Sequence, residues 1–124
     1  NLGTYASEPL ADPVADWLAA CRSFQPLARE DQLILPGHKL PFLGLPLRLH
    51  QMIENHEGAL ARLRDVLSEA PRSATACFPV LFKRPVGEAE YGMALVEAVA
   101  HLNHLFLRGE IRREDREGVW LWSA

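Results

Sequence analysis

Apolar positions along the chain predict a mainly helical fold that ends in a small β-hairpin. The clearest stripe runs at three- and four-residue spacing through residues 46–69, which predicts a long amphipathic helix. A shorter stripe follows Asp12-Pro13 and predicts a first helix, because aspartate is a favoured N-cap and proline fits the first turn. A third stripe predicts a helix over residues 88–108, ended by Gly109 in the left-handed conformation that glycine adopts easily.

Two shorter segments carry weaker patterns. Residues 32–35 form a brief apolar run of the length and composition of a buried strand. Residues 75–82 predict a short or kinked helix, because Pro79 removes a backbone hydrogen bond unless it lies in the first turn.

The end of the chain predicts two strands, at residues 110–113 and 119–122, joined by a turn at residues 114–118. The order helix, helix, two-stranded hairpin is that of a winged-helix domain, in which the hairpin is the wing. The predicted fold class is therefore mainly α with a small β-hairpin, an α+β arrangement.

A change of character near residues 44–46 predicts two parts. Residues 1–45 are strand and loop material whose strand lacks partners in the chain, whereas residues 46–124 could bury a core of their own. An unpaired strand can associate with a second copy of itself, so the sequence allows a homodimer.

Composition limits the classes of function that the chain can have but does not identify one. The 124 residues suit one domain or a piece of a larger one, and 48% of them are hydrophobic. The net charge of −3 gives no general attraction to nucleic acid or to an anionic membrane. Cys21 and Cys77 form no C-x-x-C motif. We expect them to be small core residues of a cytoplasmic protein, with a disulfide or a reactive thiol as the alternative.

His38 is the first candidate for chemistry. The apolar run ends in Pro36-Gly37-His38, so this histidine follows a predicted strand at the edge of a sheet, where binding sites are commonly built. Neutral imidazole is a common zinc or iron ligand. The alternative is a turn histidine that bonds to a nearby carbonyl group.

Three of the four histidines on predicted helices are further candidates. His56 falls on the apolar stripe of the long helix, so it is either a histidine at the edge of the core or a residue on the substrate side of a site. Glu97, His101 and His104 could in principle offer three metal ligands on one helix. Alternatively, these two histidines flank the core and bond to backbone or water.

The hairpin raises two further possibilities. Trp120 and Trp122 point to one side of the last strand, where they either cover the core or form an exposed interface. A winged helix that reads DNA needs a basic recognition helix and wing. The predicted helix has three acidic residues and one basic residue, and the charges of the wing nearly cancel, which disfavours a DNA-binding regulator.

Taken together, these motifs resemble the metallo-β-lactamase superfamily, in particular the C-terminal end of hydrolases of the hydroxyacylglutathione-hydrolase type. The similarity rests on the P-G-H element after an apolar run, the following helix with His56-Glu57, and the ending Ala-His-Leu (residues 100–102), glycine and basic strand. The resemblance implies that His38 is the last metal-binding histidine of such a protein. It also implies that residues 1–45 are the end of its metallo-β-lactamase-like domain and that a winged-helix domain follows.

The same resemblance implies a function for a longer protein. An upstream domain would supply the H-x-H-x-D-H metal motif that this chain lacks, and Lys39 stands where the family often has a second glycine. Zinc, or iron or manganese, would activate water for hydrolysis of an ester, thioester or amide bond in a small-molecule substrate. This chain alone would be catalytically inactive, would hold no metal tightly, and would form a wall of the substrate entrance or a dimer surface. The alternative from another class is a non-catalytic winged-helix module that binds a protein partner.

Overall fold

The protein, described by a computed structural model over residues 2–124, consists of helices followed by one hairpin. The α-helices are α1 (Pro13–Phe24), α2 (Leu45–Glu69), α3 (Phe78–Leu81) and α4 (Tyr91–Leu107), with 3₁₀ turns at Gln25–Leu27 and Thr75–Cys77 and the strands β1 (Arg112–Arg116) and β2 (Val119–Ser123). The expected fold class, mainly α with a small β-hairpin, is confirmed.

Helix boundaries follow from the residues that begin each helix. The side chain of Asp12 accepts a hydrogen bond from the backbone N–H of Ala15 at 3.0 Å, so it caps α1 as predicted. Gly44 precedes α2 with a φ of 85°, and Pro46 lies in the first turn. α4 begins at Tyr91 rather than at residue 88, because Gly87 and Glu88 are instead part of a turn.

The hairpin differs from the prediction in its turn. β1 continues to Arg116 and pairs with Val119, so only Glu117 and Gly118 lie between the strands. Both have positive φ, 55° and 80°. Two such residues form the turn whose twist matches paired strands, which is why the predicted turn at residues 114–118 was too long and the strand at residues 110–113 ended too early.

The predicted strand at residues 32–35 is wrong. Ile34 forms a single antiparallel bridge with Phe42, and the rest of the segment from Ala28 to Gly44 is loop. No other strand lies beside it among residues 2–124, so most of its backbone groups have no ladder to join.

One core joins both parts of the predicted two-part chain. Val14, Leu18 and Cys21 of α1 lie in the same buried cluster as leucines of α2 and α4 and as Trp122 of the hairpin. The division at residue 45 stays a prediction, and in this chain α1 shares the core of the later helices. Cys21 and Cys77 are free and buried, as expected of core residues, and burial raises the pKa of the Cys77 thiol to about 11.

None of the helices among residues 2–124 combines the length and the apolar character that crossing a membrane requires.

Candidate functional site

His38 is exposed near the tip of a loop closed by one β-bridge. The backbone of Ile34 and Phe42 exchanges two hydrogen bonds, of 2.9 and 3.1 Å, and residues 35–41 bulge from this bridge. Lys39, next to His38, has a φ of 69°. It stands where the resemblance puts a second glycine, so the loop keeps the left-handed backbone that glycine favours.

A metal does not fit the described residues by themselves. Residues 2–124 contain no group of three or more histidine, cysteine, aspartate or glutamate side chains placed to hold one ion. Zinc sites use three or four protein ligands, so His38 alone cannot form one. The same finding shows that the alternative set of Glu97, His101 and His104 is wrong as a metal site.

The structure instead brings His101 to His56. Nδ1 of His56 on α2 lies 3.0 Å from Nε2 of His101 on α4, and the two rings stack with centroids 5.2 Å apart. Nδ1 of His101 lies 2.8 Å from the backbone oxygen of Glu97. The pair thus joins the two longest helices through side chains, and the spacing of the residues along the chain gave no signal of it.

Burial makes both rings poor bases. His101 is 3% exposed, and desolvation lowers its pKa to about 4 despite its hydrogen bond to the Glu97 carbonyl oxygen. Desolvation also lowers the pKa of His56, which is half-buried, while the nearby Glu57 carboxylate opposes that shift. Both histidines are therefore predominantly neutral at pH 7.

A groove of about 830 Å³ lies beside this pair, between α2, α4 and the loop that joins α3 to α4. Its basic side chains are Arg62, Lys83 and Arg84, and its acidic ones are Glu90 and Glu97, both on the α4 side. Burial raises the pKa of Glu97. Phe82 and Met93 are among its apolar lining residues.

The residues at the centre of α4 are buried in the core, so α4 does not have the exposed face of a DNA-recognition helix. His101 to Leu105 are all buried, and His104 places Nδ1 3.0 Å from both carboxylate oxygens of Asp12. The same carboxylate caps α1, so it holds two elements together. A helix buried at this point cannot enter a DNA groove, which argues further against a DNA-binding regulator.

The two tryptophans of β2 have different surroundings. Trp122 is fully buried, so it lies in the core and not on a surface, whereas Trp120 is 38% exposed. The guanidinium group of Arg113 lies 3.9 Å from the Trp120 ring centroid and 4.7 Å from that of Phe106. This cation–π stack removes a charge of the predicted wing from free solvent, and only Trp120 stays an interface candidate.

Large apolar side chains are exposed on the loop that carries His38. Leu33, Leu35, Leu40 and Leu43 expose between 62% and 82% of their surface. Single exposed leucines are ordinary, but several on one short loop indicate a surface that another part of a protein covers.

Comparisons with known proteins agree with this architecture. A family described as "Metallo-beta-lactamase-like, C-terminal domain" matches residues 60–124. The chain belongs to the metallo-beta-lactamase-like C-terminal domain family. Among 13 matching chains of solved structures is a beta-lactamase domain protein from Burkholderia ambifaria. The two share 34% sequence identity and superimpose with a TM-score of 0.92. No curated protein matches the chain significantly.

The alignment covers 99% of this chain and 37% of the Burkholderia chain. The metallo-beta-lactamase-like family matches the region from the middle of α2 to the end of the hairpin. The likeness in structure extends further and includes the His38 loop and α1, which the shared core already ties to that region.

Proposed function

We propose that this chain is the C-terminal part of a longer, metal-dependent hydrolase that cleaves an ester, thioester or amide bond. The observation that carries the proposal is the exposed, leucine-rich loop with His38 at its tip, in a chain of this family. In this proposal residues 1–45 contribute the end of the catalytic domain, and residues 46–124 form the attached winged-helix-like domain.

The apolar loop supports docking on a catalytic domain. Leu35 and Leu40, on either side of His38, expose 73% and 82% of their surface and contribute little to the core of this chain. Burying such leucines against another domain would release roughly 1.5–3 kcal/mol each. The catalytic domain would therefore hold the loop and bring the imidazole of His38 to metal ligands that lie outside residues 2–124.

The remaining surface has a supporting role in this proposal. His56, in the middle of α2, lines the groove and would form part of a wall on the substrate side. Trp120 would contribute to a contact with a second copy, since aromatic residues are enriched in such interfaces. The hydrolase would be cytoplasmic, with zinc, iron or manganese as its metal.

The test compares two exposed histidines in the natural gene product of full length. His38→Ala removes the loop imidazole, and His50→Ala removes an exposed imidazole from α2 as a matched control. We expect His38→Ala to lower metal content and to reduce hydrolysis of a thioester and an ester probe by at least about 100-fold, as loss of a catalytic contact does. His50→Ala should leave both quantities unchanged.

The outcome also decides between the two classes of function. A native product of the same mass as this chain, with no bound metal, would overturn the hydrolase proposal and leave the non-catalytic interaction module. Equal metal content in both variants would remove His38 from the metal site while leaving the family assignment intact.

A further inference from the structure

The hydrogen bonds of the His56–His101 pair define which nitrogen carries each hydrogen. The backbone oxygen of Glu97 can only accept, so Nδ1 of His101 donates to it. Neutral His101 then has a lone pair on Nε2, which must accept the hydrogen bond from Nδ1 of His56. Nε2 of neutral His56 is therefore a lone-pair acceptor, and no group among residues 2–124 donates to it.

Charges in the groove beside His56 come from α2, from α4 and from the loop between α3 and α4. Lys83 and Arg84 come from the loop before α4, and no carboxylate among residues 2–124 lies within ion-pair distance of either. Arg62 lies on α2 and Glu97 on α4, whereas Glu90 is the last loop residue before α4. A ligand with an anionic end therefore fits with that end at Lys83 and Arg84 and with a hydrogen-bond donor toward His56.

We propose that this groove binds a small organic anion that has an apolar body and one O–H or N–H donor. Nε2 of His56 accepts from the donor, Lys83 and Arg84 attract the anionic end, and Phe82 and Met93 contact the apolar body. His101 is a positioning residue, because it fixes the hydrogen of His56 on Nδ1. The site lies wholly within residues 2–124, so it does not depend on the hydrolase proposal.

The size and lining of the groove agree with a ligand of this kind. Its volume of about 830 Å³ lies within the range of small-molecule sites, roughly 300–1,000 Å³, which are mostly apolar with a few fixed polar groups. A dianion is disfavoured, because Glu97 would repel a second negative charge at the donor end.

The first experiment determines the tautomers, using ¹⁵N-labelled chain at pH 7.5 and long-range ¹H–¹⁵N NMR spectra. We expect both His56 and His101 to carry hydrogen on Nδ1. His101→Gln should release His56 into exchange between its two tautomers, whereas His50→Gln should leave His56 unchanged. A hydrogen on Nε2 of His56 in the unsubstituted chain would overturn the proposal.

The second experiment measures binding of 3-hydroxybenzoate and of benzoate, which lacks the donor, by NMR titration. We expect saturable shifts at His56 and Phe82, with 3-hydroxybenzoate bound about fivefold more tightly, the effect of one neutral hydrogen bond. The double variant Lys83→Ala/Arg84→Ala should weaken both probes. No saturable shift at the groove up to about 10 mM, or equal affinity for the two probes, would overturn the proposal.

His56→Phe isolates the acceptor. It should bind benzoate and 3-hydroxybenzoate with equal affinity, and a persisting fivefold preference would place the acceptor elsewhere and overturn the assignment. If this variant does not fold, the comparison of the two probes on the unsubstituted chain and the tautomer measurement decide the proposal without it.

Discussion

At the scale of single residues, burial separates histidines that are chemically identical. His38 and His50 are exposed, whereas His101 is 3% exposed and bonded at both ring nitrogens. Water is excluded from the ring of His101, which disfavours its charged form and lowers its pKa to about 4. The position of His101 in the fold, and not its place in a motif, therefore keeps its ring neutral near pH 7.

Protonation of His101 should destabilise the fold in acid. Its folded-state pKa is about 4 and the ordinary value is 6.5, so between these pH values the unfolded chain binds more protons. Stability is then fully present above about pH 6.5 and falls as the pH is lowered to about 4, by up to about 3 kcal/mol. Urea unfolding at several pH values measures this loss.

The control for this prediction again uses an exposed histidine. His50→Gln should keep the pH dependence of the unfolding free energy, while His101→Gln should flatten it between pH 4.5 and 6.5 and lower stability at pH 7. An unchanged slope in His101→Gln would show that protonation of His101 does not cause the loss of stability in acid.

At the scale of elements, backbone geometry at a few positions decides where helices and strands end. Glu117 adopts a φ of 55° in the hairpin turn, where Gly118 follows with 80°. A glutamate at this position is unusual, because left-handed backbone costs a residue with a Cβ roughly 1 kcal/mol. Asparagine tolerates the conformation better and is a preferred residue of such turns.

Glu117→Asn should therefore stabilise the protein by about 0.5–1 kcal/mol, measured by thermal or urea unfolding. Glu117→Ala is the matched control, since it removes the same carboxylate but gains no tolerance for positive φ. Equal stability of the two variants would mean that the charge of Glu117, and not the backbone of the turn, limits the hairpin.

At the scale of the whole molecule, there is one buried core, and the leucines of the His38 loop are exposed outside it. Leu63 is fully buried in the cluster that joins α1, α2, α4 and the hairpin. Leu35 and Leu40 lie on the exposed loop. The stability of this chain should depend on buried leucines such as Leu63, and its tendency to associate should depend on the exposed Leu35 and Leu40.

The double variant Leu35→Ser/Leu40→Ser should unfold within about 0.5 kcal/mol of the unsubstituted chain and associate less at high concentration. Leu63→Ala, as the buried control, should lose about 2–5 kcal/mol. Sedimentation and urea unfolding measure the two properties. A large loss of stability in the double variant would show that the loop packs on this chain in solution and is not free to contact another domain.

The sequence by itself determined the helices and their apolar faces. The stripe of α2 and the cap at Asp12 are local patterns, and each was found where the residues predicted it. The hairpin followed from its turn residues, although its turn proved shorter. The resemblance to the family also came from short motifs in a fixed order, because both the motifs and their order are visible in the sequence alone.

Only the tertiary structure decided what depends on contacts between distant residues. It paired His56 on α2 with His101 on α4. It placed Trp122 in the core, left Trp120 at the surface under the guanidinium group of Arg113, and joined α1 to the core of the later helices. It also left residues 32–35 without a strand, since a strand exists only where another backbone pairs with it. Such contacts arise from packing geometry, which no local spacing of residues encodes.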